Sequence, residues 1–436
     1  MTVLEQTQLD PFHSCIESIF SEQTPSPFRS KAFGKLFEKG LPTKKFEAFT
    51  YFPLRQLYAN SYKMPTRQVV PSKEFIERHV LPECKGSCLV FIDGAFVKEM
   101  SFVNELPSSV ACVPLAQAEK GSYAGFLQKR YHLALEQEKD PFVFMNLALG
   151  NSGAFVYIPA NITLEKPIQC LHIISEDNVA VFPRVQLVVG SSSKVSWITS
   201  YVNVESVQKF FQTSYLDVSV DEDSSFDHVI FNDVPKKAYN LFSLRSTLKK
   251  QSRVNCINLS TGSKASRQDY YFAMNGEEGD VKVTGLSWLD TNHHSHAHVI
   301  VDHHAPSCVS DQFFKGVLAG SSQTSFIGKI VVRQPAQQTR AYQLNNNLLL
   351  SEGTIANSKP GLEILADDVK ASHGATVSQL DEEQLFYLRS RGLTADVAKS
   401  LLVEGFCRDI LDKVSCDSLK KITQDSLEQY LIKQNT

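Results

Sequence analysis

Six of the twelve histidines fall within the thirteen residues from Asn292 to His304. On a strand, side chains two residues apart share a face, so His294, His296 and His298 would lie together, opposite apolar neighbours. The Cα atoms of alternate strand residues are about 6.5 to 7 Å apart, close enough for imidazoles to converge on one metal ion. The structural alternative is a polar strand face, hydrogen-bonded to a neighbouring strand. The lack of a glutamate at a supportive spacing favours that alternative.

A second group of ionisable residues, Asp367, Asp368, Lys370 and His373, follows an alternating, strand-like pattern. The small residues after His373 leave its imidazole open to solvent or to a partner. Imidazole is an available metal ligand near neutral pH, which makes this histidine a candidate binding residue. A purely structural histidine is the alternative, and the chemistry of the segment does not decide between the two.

Several signatures of enzymes are absent from the sequence. It contains no G-x-x-x-x-G-K-[ST] phosphate loop, no G-x-G-x-x-G, no G-x-S-x-G and no H-E-x-x-H motif. If the process that this chain serves consumes ATP, another protein must therefore supply the loop that holds the triphosphate.

The composition is that of a soluble protein with two or three domains, or with one elongated repetitive core. Of 436 residues, 42% are hydrophobic and 21% are charged, with 44 basic against 47 acidic side chains. No basic block is present, which argues against nucleic acid as a partner. No apolar run reaches the roughly 18 residues of a membrane span, and no secretion signal is evident, so we expect no membrane association and a cytoplasmic location.

The nine cysteines are odd in number and scattered along the chain, which argues against a disulfide framework. Only Cys84 and Cys88 lie close together, and without a second pair they make a poor structural zinc signature. We therefore predict reduced thiols, most of them buried as small apolar side chains.

The local patterns divide the chain into three parts: a mainly helical domain over residues 1–88, a β core over 89–378 and a helical domain over 379–436. The core is predicted from short β-branched and aromatic runs separated by polar turns, with no long amphipathic helix between them. The spacing fits a sandwich, a stack of cupin-like barrels or a parallel β-helix equally well, and no exact repeat decides among them.

Two helices are predicted in the last part. Asp381 can cap the first helix, Gly392 suits the left-handed residue that ends it, and Thr394 can cap the second. An apolar stripe follows along the second helix and needs a partner surface, either on the chain's own core or on another subunit. The residues of this stripe are Ala398, Leu401, Leu402, Gly405, Phe406 and Ile410.

Longer motifs, in consistent order along the chain, resemble the SufB/SufD family of iron–sulfur cluster assembly scaffolds, and its SufD branch most. The matching segments are Gly40–Phe49, Phe326–Val332, Gln338–Leu350, Lys359–Lys370, Ser372–Val377 and Phe386–Gly392. An ordered set of this length is far more specific than any of the short patterns above.

The resemblance implies a right-handed parallel β-helix core flanked by helical N-terminal and C-terminal domains. It also implies two partners, a homologous SufB-like scaffold that pairs through the β-helices and a SufC-like ATPase held by the C-terminal helices. The ATPase would dock on the stripe formed by Ala398, Leu401, Leu402, Phe406 and Ile410. A homodimer in isolation is a further expectation.

By the same resemblance, His373 matches the family histidine that is proposed to help hold a transient iron–sulfur cluster shared with the partner scaffold. Many relatives have cysteine two residues earlier, where this chain has Ala371, so His373 would act without that thiolate. Family members are also associated with reduced flavin and iron acquisition, although no residue here matches a flavin fingerprint.

The function expected from these observations is that of a non-catalytic SufD-like subunit of a SufBCD-type complex. It would support scaffold formation and iron entry and would couple the motion of the ATPase to the cluster site. The alternative is a stand-alone cupin-like metalloenzyme that binds its metal through His294, His296 and His298.

Overall fold

The computed structural model describes residues 10–23 and 25–434. Most of the strands belong to two long sheets. Their bounds are β1 (Cys88–Ile92), β2 (Ala95–Phe96), β3 (Ala111–Pro114), β4 (Ala154–Ile158), β5 (Ile168–Ile174), β6 (Val179–Val181), β7 (Arg184–Val189), β8 (Lys194–Asn203), β9 (Phe210–Val220), β10 (Ser225–Asp233), β11 (Tyr239–Leu248), β12 (Arg253–Gly262), β13 (Ala265–Met274), β14 (Asp280–Leu289), β15 (His294–His303), β16 (Val309–Leu318), β17 (Gln323–Val332), β18 (Thr339–Leu349), β19 (Ile355–Ile364) and β20 (Val369–Ser378).

The helices lie at both ends of the chain and in one internal group. Their bounds are α1 (Pro11–Ser21), α2 (Pro27–Lys39), α3 (Leu54–Tyr58), α4 (Lys73–His79), α5 (Leu115–Ala118), α6 (Ala124–Gln137), α7 (Pro141–Leu149), α8 (Glu382–Ser390), α9 (Ala395–Leu411) and α10 (Asp417–Gln434). Within the described residues, no helix is both long and apolar enough to cross a bilayer.

The strands form a parallel β-helix of about eight turns, which confirms the predicted class of fold. We call the sheet with the order β2-β1-β5-β8-β10-β12-β14-β16-β18-β20 sheet 1, and the sheet that runs from β19 through β17, β15, β13, β11, β9, β7 and β4 to β3 sheet 2. Successive turns of the chain, called coils here, add one strand to each sheet. Every second side chain of a strand points into the coil and stacks on the equivalent residue of the next coil.

One corner of the β-helix repeats a single turn geometry from coil to coil. Six non-glycine residues there have φ between 54° and 61°, and each donates its backbone N–H to a carbonyl of the following coil. They are Ser192, Asp223, Gln251, Glu278, Ser307 and Gln338. The backbone N–H of each corner residue is thus hydrogen-bonded to the next coil, as a buried or partly buried backbone N–H requires.

The helices α5, α6 and α7 interrupt the part of the chain predicted to be an uninterrupted β core, so that prediction was wrong. The reason is clearest in α7, where every residue from Pro141 to Leu149 is buried. A short segment that is apolar on all sides carries no helical periodicity and cannot be told from a buried strand by pattern. Together with α1, α2 and α3, α7 belongs to a core cluster that also includes residues of β9, β11 and β13 in sheet 2.

The predicted caps of the C-terminal helices are confirmed. The Asp381 carboxylate accepts from the backbone N–H groups of Glu383 and Gln384 at the start of α8, and Gly392 has a φ of 94° just beyond its end. The Thr394 hydroxyl accepts from Val397 N at the start of α9. These signals are local, and each requires only the residues of one helix end.

Candidate functional site

The last coil leaves one end of the β-helix open. Among the described residues, strand β20 pairs only with β18 and strand β19 only with β17, so each ends its sheet with an edge that no described strand pairs. The inward side chains of both strands are covered by the coil below but not from above. This end therefore combines free strand edges with the exposed interior of a β-helix, which favours pairing with another chain.

His373 lies in the middle of β20 on this open coil. It is in register with Gln343 of β18, which is in register with Gln312 of β16, and both glutamines point inward and are buried. The same alternation places His373 on the inward face, but its side chain is exposed because no further coil covers it. The structure therefore leaves the predicted ligand accessible at the end of the β-helix.

The surroundings of His373 are small or apolar. Ala371 and Ala375 flank it on the inward face of β20, and Val377 on the same face is 50% exposed. Across the open coil, Ile364 of β19 is 38% exposed. An imidazole within an uncovered apolar rim suits a surface that a protein partner buries.

Thiols of this chain do not reach the open end. All nine cysteines are free, and eight are buried while Cys112 is partly buried, which confirms the prediction for most of them. Burial raises the pKa of the thiols of Cys407 to about 12 and of Cys416 to about 11. No cysteine lies between Cys308 and Cys407, so strands β19 and β20 offer none.

The histidine-rich segment forms β15, and its alternation is as predicted. Ala297, Val299 and Val301 point inward and are buried, while His294, His296 and His298 share the outer face of sheet 2. That face is not free, because the N-terminal segment covers it. His296 is only 4% exposed, and the Phe52 ring packs 5.3 Å from its imidazole.

Each of the three histidines has a separate structural environment. The Nδ1 atom of His296 lies 2.7 Å from the Ser325 hydroxyl, and Nδ1 of His298 lies 2.7 Å from the Asp269 carboxylate. Burial lowers the pKa of His294 to about 4 and holds the pKa of His296 well below its ordinary value.

The structure does not bring His294, His296 and His298 together as the metal site that was the less favoured alternative to a hydrogen-bonded strand face. Among residues 10–23 and 25–434, no group of three His, Cys, Asp or Glu side chains is arranged to hold a metal ion. The physical reason is that His296 and His298 bond to separate partners, Ser325 and Asp269, while His294 Nδ1 has no hydrogen-bond partner among the described residues. The cupin-like fold proposed for that enzyme is also wrong, because the core is a parallel β-helix.

Around His298, buried charges join the connection between α6 and α7 to sheet 2. Arg245 donates to both Glu138 and Asp269 at 2.8 Å, and Arg267 donates to Asp140 at 2.8 Å. Burial raises the pKa of Asp140 to about 6, even though Arg267 opposes this. Burial would also favour protonated Asp269, but Arg245 and Arg267 hold its pKa well below the usual range. We call these five residues and His298 the ionic clamp.

The apolar stripe predicted on α9 is divided between two surroundings. Ala398 and Ile410 are fully buried; Ile410 packs with Val403 and Cys407 in the core shared with sheet 1. The stripe prediction therefore fails for Ala398 and Ile410 as docking residues, because they face the chain's own core. Leu401 is 46% exposed.

The other two residues of the predicted docking set are partly buried. Leu402 and Phe406 have intermediate exposure, and the Phe406 carbonyl accepts from Lys315 Nζ of β16 at 2.8 Å. Lys315 also binds the Asp409 carboxylate, at 2.9 Å. Helix α9 is thus fixed to the outer face of sheet 1 on one side.

Sequence reasoning missed the apolar residues that α8 and α9 do expose. Phe386 is 75% exposed, Tyr387 56% and Val397 47%, and with Leu401 we call them the exposed helix face. The signal was present in the sequence, since Phe386 and Tyr387 are adjacent aromatic residues on a short helix with no buried residue. Identifying the face required knowing which side of α9 the β-helix covers.

Comparison with known families divides the chain into two matched regions. Residues 172–406 match the family model described as SUF system FeS cluster assembly, SufBD core domain, and residues 4–170 match that of the SufBD protein N-terminal region. The chain belongs to the SufBD family. The two SufBD regions meet near residue 171, inside β5, whereas the sequence patterns placed a boundary at residue 88.

Three relatives align over most of their length. A SufBD family protein of Synechocystis, slr0076, is 31% identical over 392 residues, covering 87% of this chain and 85% of its own. The SufD protein of Escherichia coli is 24% identical over 95% of this chain and 94% of its own. The chloroplastic protein ABCI7 of Arabidopsis thaliana is 29% identical over 85% and 79%, respectively. The chain is thus a SufBD protein of the iron–sulfur cluster assembly system.

Proposed function

We propose that this chain is a non-catalytic, SufD-like subunit of a SufBCD-type complex, and that it acts in the cytoplasm. The observation that carries the proposal is the open last coil of a SufBD β-helix, with His373 exposed on its inward face. Nine free thiols agree with a reducing compartment.

The first proposed partner is a homologous SufB-like scaffold that covers the open end. Its strands would extend the sheets beyond β19 and β20, and its side chains would bury Ile364 and Val377. A thiolate at this interface must come from the partner, because this chain has Ala371 beside His373 and no cysteine in the last coil. Imidazole and thiolate together are suitable ligands for a cluster that is assembled there and then released.

The second proposed partner is a SufC-like ATPase that docks on the exposed helix face. The remaining surface of α9 is fixed to sheet 1 through Lys315 and through buried Val403 and Cys407. A displacement of α8 and α9 by the ATPase would therefore act directly on the β-helix. This arrangement gives the chain a means of coupling ATPase motion to the cluster site without a phosphate loop of its own.

The proposed cluster site is tested with His373→Ala in the complex purified without oxygen. Because the substitution removes one ligand from an exposed position, we expect the complex to form normally and its cluster content to fall about tenfold or more, measured as iron, acid-labile sulfide and visible absorbance. His132→Ala is the matched control, since His132 is also well exposed but lies on α6. Undiminished cluster content in His373→Ala would disprove the ligand assignment.

The proposed ATPase surface is tested with Leu401→Glu. A buried carboxylate without a partner strongly opposes docking, so we expect the ATPase to be lost from an affinity pull-down while the homologous scaffold is retained. Lys399→Glu introduces the same side chain at an exposed position of the same helix and serves as the control. Equal recovery of the ATPase with both variants would rule out this docking face.

A further inference from the structure

A column of inward side chains leads from the interior of the β-helix to the candidate ligand. Gln312, Gln343 and His373 occupy equivalent positions on β16, β18 and β20 and are in direct parallel register. Neighbouring strands are about 4.8 Å apart, so each side chain of the column can reach the next. The side chain directly beneath the His373 imidazole is therefore that of Gln343.

The two glutamines form one hydrogen bond and leave one acceptor, on Gln343, and one donor, Gln312 Nε2, without a partner among the described residues. Gln343 Nε2 donates to Gln312 Oε1 at 3.3 Å, so the amide of Gln343 points its nitrogen into the β-helix. Its Oε1 atom has no hydrogen-bond partner, although the residue is only 3% exposed. Buried carbonyl oxygens in folded proteins usually accept a hydrogen bond, so this oxygen has the capacity to accept one from a donor at the open end.

His373 is the next residue of the column and can supply that donor. A neutral imidazole carries one N–H and one nitrogen lone pair, and a hydrogen bond to the N–H determines which nitrogen holds the proton. Neither ring nitrogen of His373 is hydrogen-bonded within the described residues. A rotation of the imidazole toward Gln343 would satisfy both groups.

We propose that Gln343 is the positioning residue of His373. When the partner scaffold covers the open coil, Gln343 Oε1 accepts the imidazole N–H, and the opposite nitrogen directs its lone pair toward the shared cluster. Exclusion of water from the covered end strengthens this bond. The inference rests on the proposed function of His373 and adds the group that orients it, as metal-binding histidines are commonly oriented by a second hydrogen bond.

The chemistry of the column explains why an amide suits this role. A carboxylate at position 343 would accept the same N–H, but it would place a charge among buried neutral side chains, at a large cost in desolvation. The amide oxygen fixes the tautomer without that charge. Its Nε2 atom is already anchored to Gln312, so the acceptor is held in place from below.

The test combines long-range proton–nitrogen NMR of ¹⁵N-histidine-labelled chain, in the purified complex, with measurement of bound cluster. Difference spectra against His373→Ala assign the His373 signals. We expect one neutral tautomer in the wild type, a mixture in Gln343→Met, which lacks the acceptor, and a return to one tautomer in Gln343→Glu, which retains it. Bound cluster should fall about tenfold in Gln343→Met.

A control separates positioning from a general loss of packing. Asn347→Leu replaces another buried amide of the same strand and leaves the acceptor beneath His373 intact, so the tautomer should not change. A single unchanged tautomer in Gln343→Met, or a mixture in the wild type, would overturn the proposal. The NMR result stands apart from the proposed function, which fails instead if His373→Ala keeps its cluster.

Discussion

Two histidine-bearing strands of the same β-helix differ in almost every physical respect. His296 on β15 lies in a middle coil, on the outer face of sheet 2, buried beneath the N-terminal segment. His373 on β20 lies in the last coil, on the inner face of sheet 1, and is exposed because no further coil of the described chain stacks on it. Residue type and strand alternation are alike in both. The position of a strand along the stack, and what covers its face, decide which imidazole is available to a ligand.

The covered strand, β15, contributes His298 to the ionic clamp, a charge cluster that we expect to stabilise the molecule. In the ionic clamp, two guanidinium groups face three carboxylates, and His298 approaches one of the carboxylates. Buried charges remain tolerable only while each keeps its partner, because the loss of one leaves the other desolvated and uncompensated. The open end has no such cluster, so its exposed groups are available for contacts with another chain.

The largest difference between the two regions should appear when the ionic clamp loses Asp269. In Asp269→Asn, Arg245 loses a carboxylate at 2.8 Å and His298 loses its negatively charged partner, while both remain largely buried. We expect the free energy of unfolding to fall by about 3 to 5 kcal/mol. The measurement is the midpoint and slope of urea unfolding, compared with wild type.

A matched control lies on the outer face of the same sheet. Lys329 and Glu363 form an ion pair at 2.6 Å, but both side chains are more than 40% exposed. Glu363→Gln should therefore leave the urea midpoint almost unchanged, because water and salt screen an exposed ion pair. If the two variants are equally stable, the charges of the ionic clamp do not stabilise the contact between sheet 2 and the connection of α6 to α7, and the proposed difference in stability between the two regions is wrong.

Features determined by a few neighbouring residues could be predicted from the sequence. The caps at Asp381 and Thr394 and the two faces of β15 follow from short-range rules, and the structure agrees with them. The parallel β-helix itself came from resemblance, because strand spacing left three folds open. The repeated corner could not be recognised as a repeat in the sequence. Its positive-φ positions are occupied by several residue types, and the spacing between them varies from 27 to 31 residues.

What could not be predicted depends on long-range packing. The His296 imidazole is covered by Phe52, which lies more than 200 positions earlier in the chain, and no local pattern encodes that contact. The same holds for α9, where a helical stripe identifies apolar residues but not which of them the β-helix covers. The alternation of Gln343, Asn345 and Asn347 along β18 did mark a row of polar side chains on the inner face of that strand. This signal could have been found from its period of two.

A smaller difference should appear in the dependence of stability on pH. Burial lowers the pKa of His303, an inward residue of β15, from 6.5 to about 4. Between these values the unfolded chain binds more protons than the folded one, so stability is complete above pH 6.5 and falls as the pH drops toward 4. His303→Gln removes this group. Between pH 6.5 and 4, the free energy of unfolding of this variant should therefore fall by roughly 2 to 3 kcal/mol less than that of wild type.

The comparison requires a variant that changes a buried polar residue without changing a proton-binding group. Gln268 is buried on the inner face of β13, and Gln268→Leu should displace the whole stability curve while keeping the wild-type slope between pH 6.5 and 4. Urea unfolding at half-unit pH steps distinguishes the two variants. Parallel curves for wild type and His303→Gln would mean that the His303 imidazole takes up a proton equally readily in the folded and unfolded states, contrary to its desolvation. A flatter curve for His303→Gln would establish that the His303 imidazole is neutral in the folded β-helix across this pH range, as its burial inside the coils requires.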